Sequence, residues 1–186
     1  MILLTSSVSA QAQTDSVQKA QAYLNTITTL TADFQQIAPD GSYAKGELFV
    51  KRPGKMRWNY DRPNPIQMVS DGNTLTYYDP EMDEVSYLSL EDTLAAIIAR
   101  PELSFDDDEI ELISSEQDAG LLRVHLRQRQ NPENGAISFV FRTQPLALYQ
   151  LLAQNAAGDT TVITLDNIRI GEALEDKLFR FKRPDR

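Results

Sequence analysis

The stretch from Gly46 to Asp61, GELFVKRPGKMRWNYD, carries the pattern that decides the fold. A Pro-Gly turn signal at residues 52–54 separates two strand candidates within it. In the second candidate, Met56, Trp58 and Tyr60 alternate with charged or polar residues. A period of two places these three side chains on one face of a β-strand, so one face is apolar and the other faces water.

The same kind of pattern continues along the chain. A second clean alternation sets Leu122, Val124 and Leu126 against arginine and histidine residues. Turn signals rich in Gly, Pro, Asn and Asp punctuate the sequence, several of them at the spacing of about 8–12 residues that is typical of antiparallel sheets. Further strands are predicted near residues 31–38, 43–51, 66–70, 74–78, 84–88, 110–115, 136–142, 146–154, 160–170 and 177–181.

A helix is predicted before the first strand. Either Asp15 or Ser16 can cap its N-terminus. Apolar residues then recur at helical spacing and form one stripe. The stripe consists of Val17, Ala20, Leu24 and Ile27.

A second helix is predicted between two strands. Ser89 can cap it, with Asp92 three residues later as in a capping box, and Pro101 stops it. Its apolar side consists of Leu94, Ile97 and Ile98. A helix placed between antiparallel strands suggests a cover over one face of the sheet.

Length and composition bound the fold class. The 186 residues suggest one domain or at most two, with enough chain to bury a substantial core. Many antiparallel strands and few helices predict a mainly β protein, either a barrel or a strongly curved sheet, with helices over its open side. The net charge of −9 disfavours sequence-independent nucleic-acid binding, which needs clustered Lys and Arg.

Catalytic and metal-binding patterns are missing from the sequence. It has one histidine and no cysteine, and His125 falls on the polar face of its strand, so no metal site and no cofactor are expected. It has no nucleophile elbow and no glycine-rich phosphate loop. The protein is therefore predicted not to be an enzyme. Met and aromatic side chains on one strand face suit a lipid-binding wall, although alternation alone favours an ordinary core.

The N-terminus suggests secretion. A short apolar start at residues 1–4 is followed by small residues, and Ala10-Gln11-Ala12 fits a signal-peptidase site. Residues 1–12 are interpreted as the remnant of a signal peptide, and residues 13–186 as one domain. A disordered polar N-terminus is the alternative. No later run approaches the roughly 20 apolar residues of a membrane span.

Several motifs together resemble one known family. The stretch from Gly46 to Pro53 is followed by Met56-Arg57-Trp58, and Ala32-Asp33-Phe34-Gln35-Gln36 precedes both. The stretch from Met68 to Gly72, the dipeptide Asp79-Pro80 and the stretch from Ile97 to Arg100 follow in order. In this order and spacing the sequence resembles the outer-membrane lipoprotein carrier protein LolA family. The resemblance is dense from about Val17 to Arg100 and weaker beyond.

The resemblance implies a fold and a task. The fold is an unclosed antiparallel β-barrel, or half-barrel, with an apolar cavity covered by a helical lid. The task is to take acylated lipoproteins from an inner-membrane ABC transporter and to carry them across the periplasm to an outer-membrane receptor, where one is present. A monomer is expected, and nucleic acid is not an expected partner.

The resemblance also implies roles for individual residues. Arg52 matches the family's arginine that bonds lid backbone and controls opening, whereas the sequence alone would favour an exposed arginine at a strand end. The residues expected to line the acyl-chain cavity are Leu24, Met56, Trp58, Tyr60, Ile97, Ile98, Leu122 and Val124. At Ala95 and Ala96 the family pattern has bulkier apolar residues, so a less tight lid or a different cavity shape is expected here.

Other functions are compatible with the same pattern. A periplasmic sensor or regulator that binds lipid or lipoprotein would share the cavity. The receptor that ends such a pathway is anchored through an acylated cysteine, and this sequence has none. A lipid-converting enzyme and a purely structural domain are the remaining alternatives.

Overall fold

A computed structural model describes residues 6–63 and 65–183, with side chains from residue 13 onward. The helices are α1, Ser6–Thr26, and α2, Ala95–Ala99. The strands are β1 Thr29–Ile37, β2 Tyr43–Lys51, β3 Lys55–Tyr60, β4 Gln67–Asp71, β5 Thr74–Asp79, β6 Glu84–Ser89, β7 Ile110–Asp118, β8 Leu121–Gln128, β9 Ala136–Thr143, β10 Leu146–Gln154 and β11 Thr160–Ile170. Short 3₁₀ helices span Leu90–Asp92, Pro132–Asn134 and Asp176–Phe179.

All eleven strands form one antiparallel sheet whose order is β6-β5-β4-β3-β2-β1-β11-β10-β9-β8-β7. Neighbours in this order are mostly consecutive in sequence, because hairpin turns join them. The two edge strands, β6 and β7, do not pair with each other, so the sheet is not closed into a barrel. The predicted half-barrel fold is confirmed.

The inner face of the sheet is apolar because successive side chains of each strand point to opposite faces. Leu48 of β2 pairs with Trp58 of β3, and Val50 pairs with Met56, so these four side chains form adjacent rows on one face. All four are buried. They belong to one core cluster that also contains Leu122 and Val124 and other residues of β8, β9 and β10.

The lid consists of two pieces of chain that cover this inner face. One is α1, which contacts β7, β8 and β10. The other is the segment 90–109, which joins the two edge strands and contains α2; we call it the crossover. Ala20 and Leu24 of α1 and Ile27 just after it are buried, as the predicted apolar stripe required.

The predicted helix caps are wrong. Helix α1 begins at Ser6, so Asp15 and Ser16 lie inside it. Residues 8–13 read VSAQAQ, without Gly or Pro, and this composition lets the helix extend toward the N-terminus. The predicted signal-peptide remnant lies partly outside the described residues, since residues 1–5 are not described and residues 6–12 are described only as helical backbone.

The second predicted helix is split, and its predicted cap does not form. Ser89 makes no capping hydrogen bond with its side chain. The Thr93 hydroxyl instead donates to the Leu90 carbonyl over 2.7 Å and ends a 3₁₀ helix before α2 starts. Competition of a threonine hydroxyl for backbone groups explains the break.

The predicted strand at 177–181 is also wrong. Residues Asp176–Phe179 form a 3₁₀ helix that packs against β3 and β4 on the outer face of the sheet. Asp176 accepts hydrogen bonds from Lys51 Nζ over 2.8 Å and from Lys55 Nζ over 2.9 Å, and Phe179 is buried. These side-chain contacts hold the segment over the outer face of the sheet. Pairing as a strand would instead have placed it at an edge of the sheet.

Gly46 allows β2 and β3 to approach closely. A Cβ atom at this position would lie 1.9 Å from the Asn59 carbonyl oxygen and 3.0 Å from Cε1 of Phe34. We expect Gly46→Ala to lower the free energy of unfolding by about 1–3 kcal/mol, because the backbone must shift. Urea unfolding measures this loss. The control is Glu47→Ala at the next, exposed position of β2, and an equal loss there would contradict the explanation.

Asp176 predicts a pH dependence of stability. Hydrogen bonds from Lys51 and Lys55 lower the pKa of Asp176 from 3.8 to about 2. A carboxyl group with a lowered pKa in the folded state stabilises the protein above its unfolded pKa, and this contribution is lost as the pH falls toward the folded value. Asp176→Asn should therefore lower the thermal midpoint at pH 7, with the difference from the native protein shrinking between about pH 4 and pH 2. Asp118→Asn, at an exposed carboxylate, is the control, and a difference independent of pH would refute the assignment.

Candidate functional site

The residues predicted to line an acyl-chain cavity all lie in or against the core beneath the lid. Leu24, Met56, Trp58, Ile97, Leu122 and Val124 are each at most 5% exposed. Tyr60 and Ile98 are partly buried and pack against the same cluster. Residues from four elements, α1, β3, α2 and β8, therefore meet in one interior.

A small cavity of about 20 Å³ remains inside this interior. That volume is about enough for one water molecule. Of the predicted residues, Leu24, Arg52 and Ile98 line it. The remaining lining residues are Ile27, Leu30, Leu48, Val50, Phe139, Leu148, Leu151 and Leu165. With the lid in this position, side chains of the lid and the sheet fill the apolar space between them.

Several of these lining residues were missed from the sequence. The alternation in β2 could have identified Leu48 and Val50. These two residues and Arg52 are spaced two residues apart, so they lie on one face. The lining residues of β10 could not be identified in this way, because a register shift between Leu148 and Gln150 breaks the period of two. Periodicity alone would have placed Leu148 and Leu151 on opposite faces.

Arg52 lies just beyond the end of β2, next to the ends of α1 and α2. Its Nη1 donates to the carbonyl of Leu24 in the last turn of α1 over 2.7 Å. Its Nε donates to the carbonyl of Ile98 in α2 over 3.1 Å. Carbonyl groups in the last turn of a helix lack partners within the helix, and a guanidinium carries five donors. One side chain therefore ties α1 and α2 to the same point of the sheet.

Arg52 is bound to neutral groups. Both side-chain partners are backbone carbonyls, and no carboxylate forms an ion pair with Arg52 among the described residues. Burial lowers the pKa of Arg52 to about 10, which still leaves the guanidinium protonated at neutral pH. A buried charge without a counter-ion carries a desolvation cost. The closed position therefore holds an arginine that would be better hydrated if the lid moved away.

The turn next to Arg52 also contacts the lid. The Gly54 N–H donates to the carbonyl of Ala99 over 2.8 Å. The buried hydroxyl of Ser70 donates to the Gly54 carbonyl over 2.7 Å. The β2–β3 turn is thus fixed to β4 on one side and to the end of α2 on the other.

The crossover is fastened to α1 by side-chain amides. Asn25 Nδ2 donates to the Leu103 carbonyl over 2.9 Å, and the Leu103 N–H donates to Asn25 Oδ1 over 2.9 Å. The Phe105 N–H donates to Gln21 Oε1 over 2.8 Å. Leu103 and Phe105 are both buried. These bonds make α1 and residues 103–105 one connected layer.

The start of the crossover is held from the opposite half of the sheet. Gln128 Nε2 donates to the Glu91 carbonyl over 2.8 Å, and Asn134 Nδ2 donates to the Asp92 carbonyl over 2.9 Å. These two bonds span the open side between the edge strands. In these bonds to the sheet the lid supplies backbone carbonyls, and the donors are Arg52, Gly54, Gln128 and Asn134.

Small side chains on α2 leave polar clefts beside it. Ala96 and Arg100 line a cleft of about 410 Å³ shared with β8 and a second cleft of about 320 Å³ beside the β2–β3 turn. A bulkier residue at Ala96 would occupy part of this space. The expectation of a less tight lid stays a prediction.

The remaining candidate chemistry lies away from this interior. His125 is on the outer face of β8, where its Nδ1 is 2.8 Å from the hydroxyl of Ser138, and burial lowers its pKa. In residues 6–63 and 65–183 no group of three or more His, Asp or Glu side chains could hold a metal ion. No helix within these same ranges is long and apolar enough to cross a membrane.

Comparison with known proteins identifies a family. Residues 25–182 match the family described as "Outer membrane lipoprotein carrier protein LolA". The chain is 30% identical to an outer-membrane lipoprotein carrier protein of Azotobacter vinelandii, over 99% of this chain and 94% of that one. It is 29% identical to the protein of the same name from Methylococcus capsulatus, over 98% of this chain and 90% of that one.

Solved structures share the fold at low sequence identity. A DUF1329 family protein from Desulfovibrio piger superposes with a TM-score of 0.53 and 15% identity, covering 91% of this chain and 96% of that one. MucB superposes with a TM-score of 0.50 and 13% identity, covering 92% of this chain and 63% of that one. These likenesses concern the fold alone.

Asn25 provides a test of how the lid is built. We expect Asn25→Asp to destabilise the folded protein by about 1–3 kcal/mol, because a carboxylate cannot donate to the Leu103 carbonyl. Hydrogen exchange should also show faster exchange at Leu103 and Phe105. Gln18→Glu, at an exposed position of α1, is the matched control. Unchanged exchange at Leu103 in the Asn25→Asp variant would show that the amide does not hold the crossover.

Proposed function

The chain belongs to the outer membrane lipoprotein carrier protein LolA family, and from this premise we propose that it carries acylated lipoproteins through the periplasm to the outer membrane. In this proposal it receives cargo from an inner-membrane ABC transporter and passes it to an outer-membrane receptor. The predicted signal-peptide remnant at residues 1–12 would agree with that compartment. We propose that it acts as a monomer and without a cofactor.

The observation that carries the proposal is the position of Arg52. A single guanidinium bonds the carbonyls of Leu24 and Ile98, near the ends of α1 and α2, at the edge of an apolar interior. An apolar interior under a cover that is held by a few polar bonds can open without unfolding the sheet. Such an arrangement suits a protein that admits an acyl chain and later releases it.

The interior must open before an acyl chain can bind. The remaining cavity of about 20 Å³ is far too small for a fatty-acyl chain. Leu24, Ile27 and Ile98 face that cavity and would have to move outward with the lid. Cargo therefore replaces lid side chains as the partner of the sheet's inner face.

This replacement keeps the net affinity moderate. Burying an acyl chain of about 16 carbons gains up to about 12 kcal/mol, at about 0.8 kcal/mol per CH₂. Cargo binding also gives up the apolar contacts of the lid and the Arg52 bonds. A carrier that retained the whole gain could not release its cargo. Delivery then proceeds toward an acceptor that binds the acyl chains better.

Arg52 sets the balance between the closed and the open lid. Its two bonds exist only when the lid is closed, so they favour the empty form over the loaded form. The energetic cost of burying the guanidinium works in the other direction and limits how strongly the lid is held. The latch role thus requires both the donor fork of arginine and its burial.

We expect Arg52→Leu to keep cargo uptake and to slow its handover by about tenfold or more, because the closed state loses two charged hydrogen bonds. Uptake is measured as lipoprotein released from inner-membrane vesicles, and handover as transfer to outer-membrane vesicles. Handover also separates a carrier from a lipid-binding sensor of the same fold.

Arg52→Lys is the matched variant. Lysine keeps the charge, but it lacks the planar fork that reaches two carbonyls at once. Its handover rate should fall between those of the native protein and the Arg52→Leu variant. If uptake and handover are both unchanged in Arg52→Leu, the latch role is wrong.

A further inference from the structure

The two edges of the open sheet are protected to different degrees. Edge strand β7 has a register shift between Leu112 and Ser114, and α1 lies against it. The amide of Gln13 also donates to the backbone carbonyl of Ser115. Bulges and covering elements are the usual protection of an edge strand against pairing with another chain.

Edge strand β6 has no such protection within the described residues. It pairs with β5 over six consecutive residue pairs without a register shift. It contains no Lys and no Pro. Its pairing with β5 is the only main-chain pairing that it receives in the described part of the sheet.

The alternation of hydrogen-bonded and non-hydrogen-bonded pairs between β5 and β6 shows which backbone groups of β6 are unpaired. The Leu90 N–H donates to the Asn73 carbonyl over 2.8 Å, one residue pair beyond the Thr74 and Ser89 pair. Hydrogen-bonded pairs alternate in an antiparallel ladder, so Leu88 and Ser86 are bonded to β5. The N–H and C=O groups of Val85, Tyr87 and Ser89 therefore point away from the sheet.

The side chains along this edge are unusually apolar for an exposed strand. Met82, Tyr87 and Leu88 are 72%, 67% and 51% exposed. Tyr87 pairs with Thr76, whose side chain is on the outer face, and Leu88 pairs with Leu75 on the inner face. An added strand would meet an apolar side chain on either face.

The chain segment that contains β6 carries charge of one sign. From residue 63 to residue 99 the sequence contains seven Asp and Glu and no Lys or Arg. Glu81 and Glu84 are exposed at one end of β6, and Glu91 and Asp92 are exposed beyond the other end. Within residues 6–63 and 65–183 these four carboxylates are in no ion pair. A second copy of the chain would bring like charges together at this edge.

We propose that β6 is a docking strand for an extended, basic segment of a partner protein, which adds to the sheet as a twelfth strand. Main-chain bonds to Val85, Tyr87 and Ser89 would provide the pairing, and the four carboxylates would select Lys and Arg on the partner. This inference rests on the proposed function, in which the partner is a donor or an acceptor of lipoprotein.

Docking at β6 would act next to the lid. The crossover starts directly after Ser89, and its first residue, Leu90, is buried. A partner strand at this edge therefore lies beside the 3₁₀ helix whose Glu91 and Asp92 carbonyls are held from the opposite half of the sheet. A partner bound there is placed to displace those bonds as cargo enters or leaves.

The test uses the complete chain and a defined probe. The probe is a blocked nonapeptide in which Lys alternates with Val, and the control peptide has the same charge but Pro in place of two Val. Binding is measured by fluorescence anisotropy at about 0.15 M salt, and protected amides are located by hydrogen exchange. We expect protection at Val85, Tyr87 and Ser89, and little binding of the control peptide.

Two variants test the edge itself. Val85→Pro removes an outward N–H and leaves the bonds to β5 intact, and it should weaken probe binding by about tenfold or more. Glu84→Lys with Glu91→Lys should weaken it similarly. Glu116→Lys with Asp118→Lys, on exposed positions of β7, makes the same charge change and should stay within about twofold of the native protein.

Each contrary result overturns the inference. Equal binding of the control peptide, protection away from β6, or native affinity in both edge variants would show that the probe does not pair with β6. A dimer in sedimentation that Val85→Pro dissociates would show that a second copy occupies the edge. Failure of the native protein to withdraw lipoprotein from inner-membrane vesicles would reject the carrier proposal and would leave the peptide result standing.

Discussion

Two hydrogen bonds from one guanidinium join the three parts on which the interior depends. Arg52 stands on the sheet, and its partners are the carbonyl of Leu24 in α1 and the carbonyl of Ile98 in α2. An unclosed sheet with an apolar inner face cannot remain exposed to water, so something must cover it. Here the cover is attached by a small number of polar bonds to backbone carbonyls, which can be broken one by one. The apolar contacts stabilise the closed lid, and the polar bonds fix its position.

The connection between the two sheet edges places the cover outside the strand ladder. The crossover runs from the end of β6 to the start of β7, so the gap that an additional strand would close is spanned by the lid itself. Asn25 and Gln21 join the crossover to α1, whereas Gln128 and Asn134 join it to the far half of the sheet. The cover would separate from the sheet, without breaking any strand pair, once it lost its bonds to Arg52, Gly54, Gln128 and Asn134. The same geometry leaves β6 as a sheet edge next to the lid.

The sequence was informative where a period of two continued without interruption. The alternations at Met56, Trp58 and Tyr60 and at Leu122 and Val124 placed the inner face correctly, and the turn signals separated most strands. Prediction failed where side-chain hydrogen bonds decided the conformation. The predicted strand at 177–181 is a 3₁₀ helix held by hydrogen bonds from Lys51 and Lys55 to Asp176. The second predicted helix is interrupted where the Thr93 hydroxyl bonds the Leu90 carbonyl. The side-chain amide bonds that hold the crossover could not be predicted from the sequence, because Asn25 and Leu103 are distant in sequence and neither belongs to a motif.

Cargo must open the lid if the protein is a carrier, and the distance between the lid and the sheet measures that opening. The chain has no cysteine, so two spin labels can be placed without removing any residue that matters to the site. One label replaces exposed Gln18 on α1 and the other replaces exposed Glu47 on the outer face of β2. Double electron–electron resonance then measures the distance between them with and without bound acylated lipoprotein. We expect one short distance for the empty protein and a second, longer distance when cargo is bound. An unchanged distance distribution in a loaded sample would contradict lid opening by cargo.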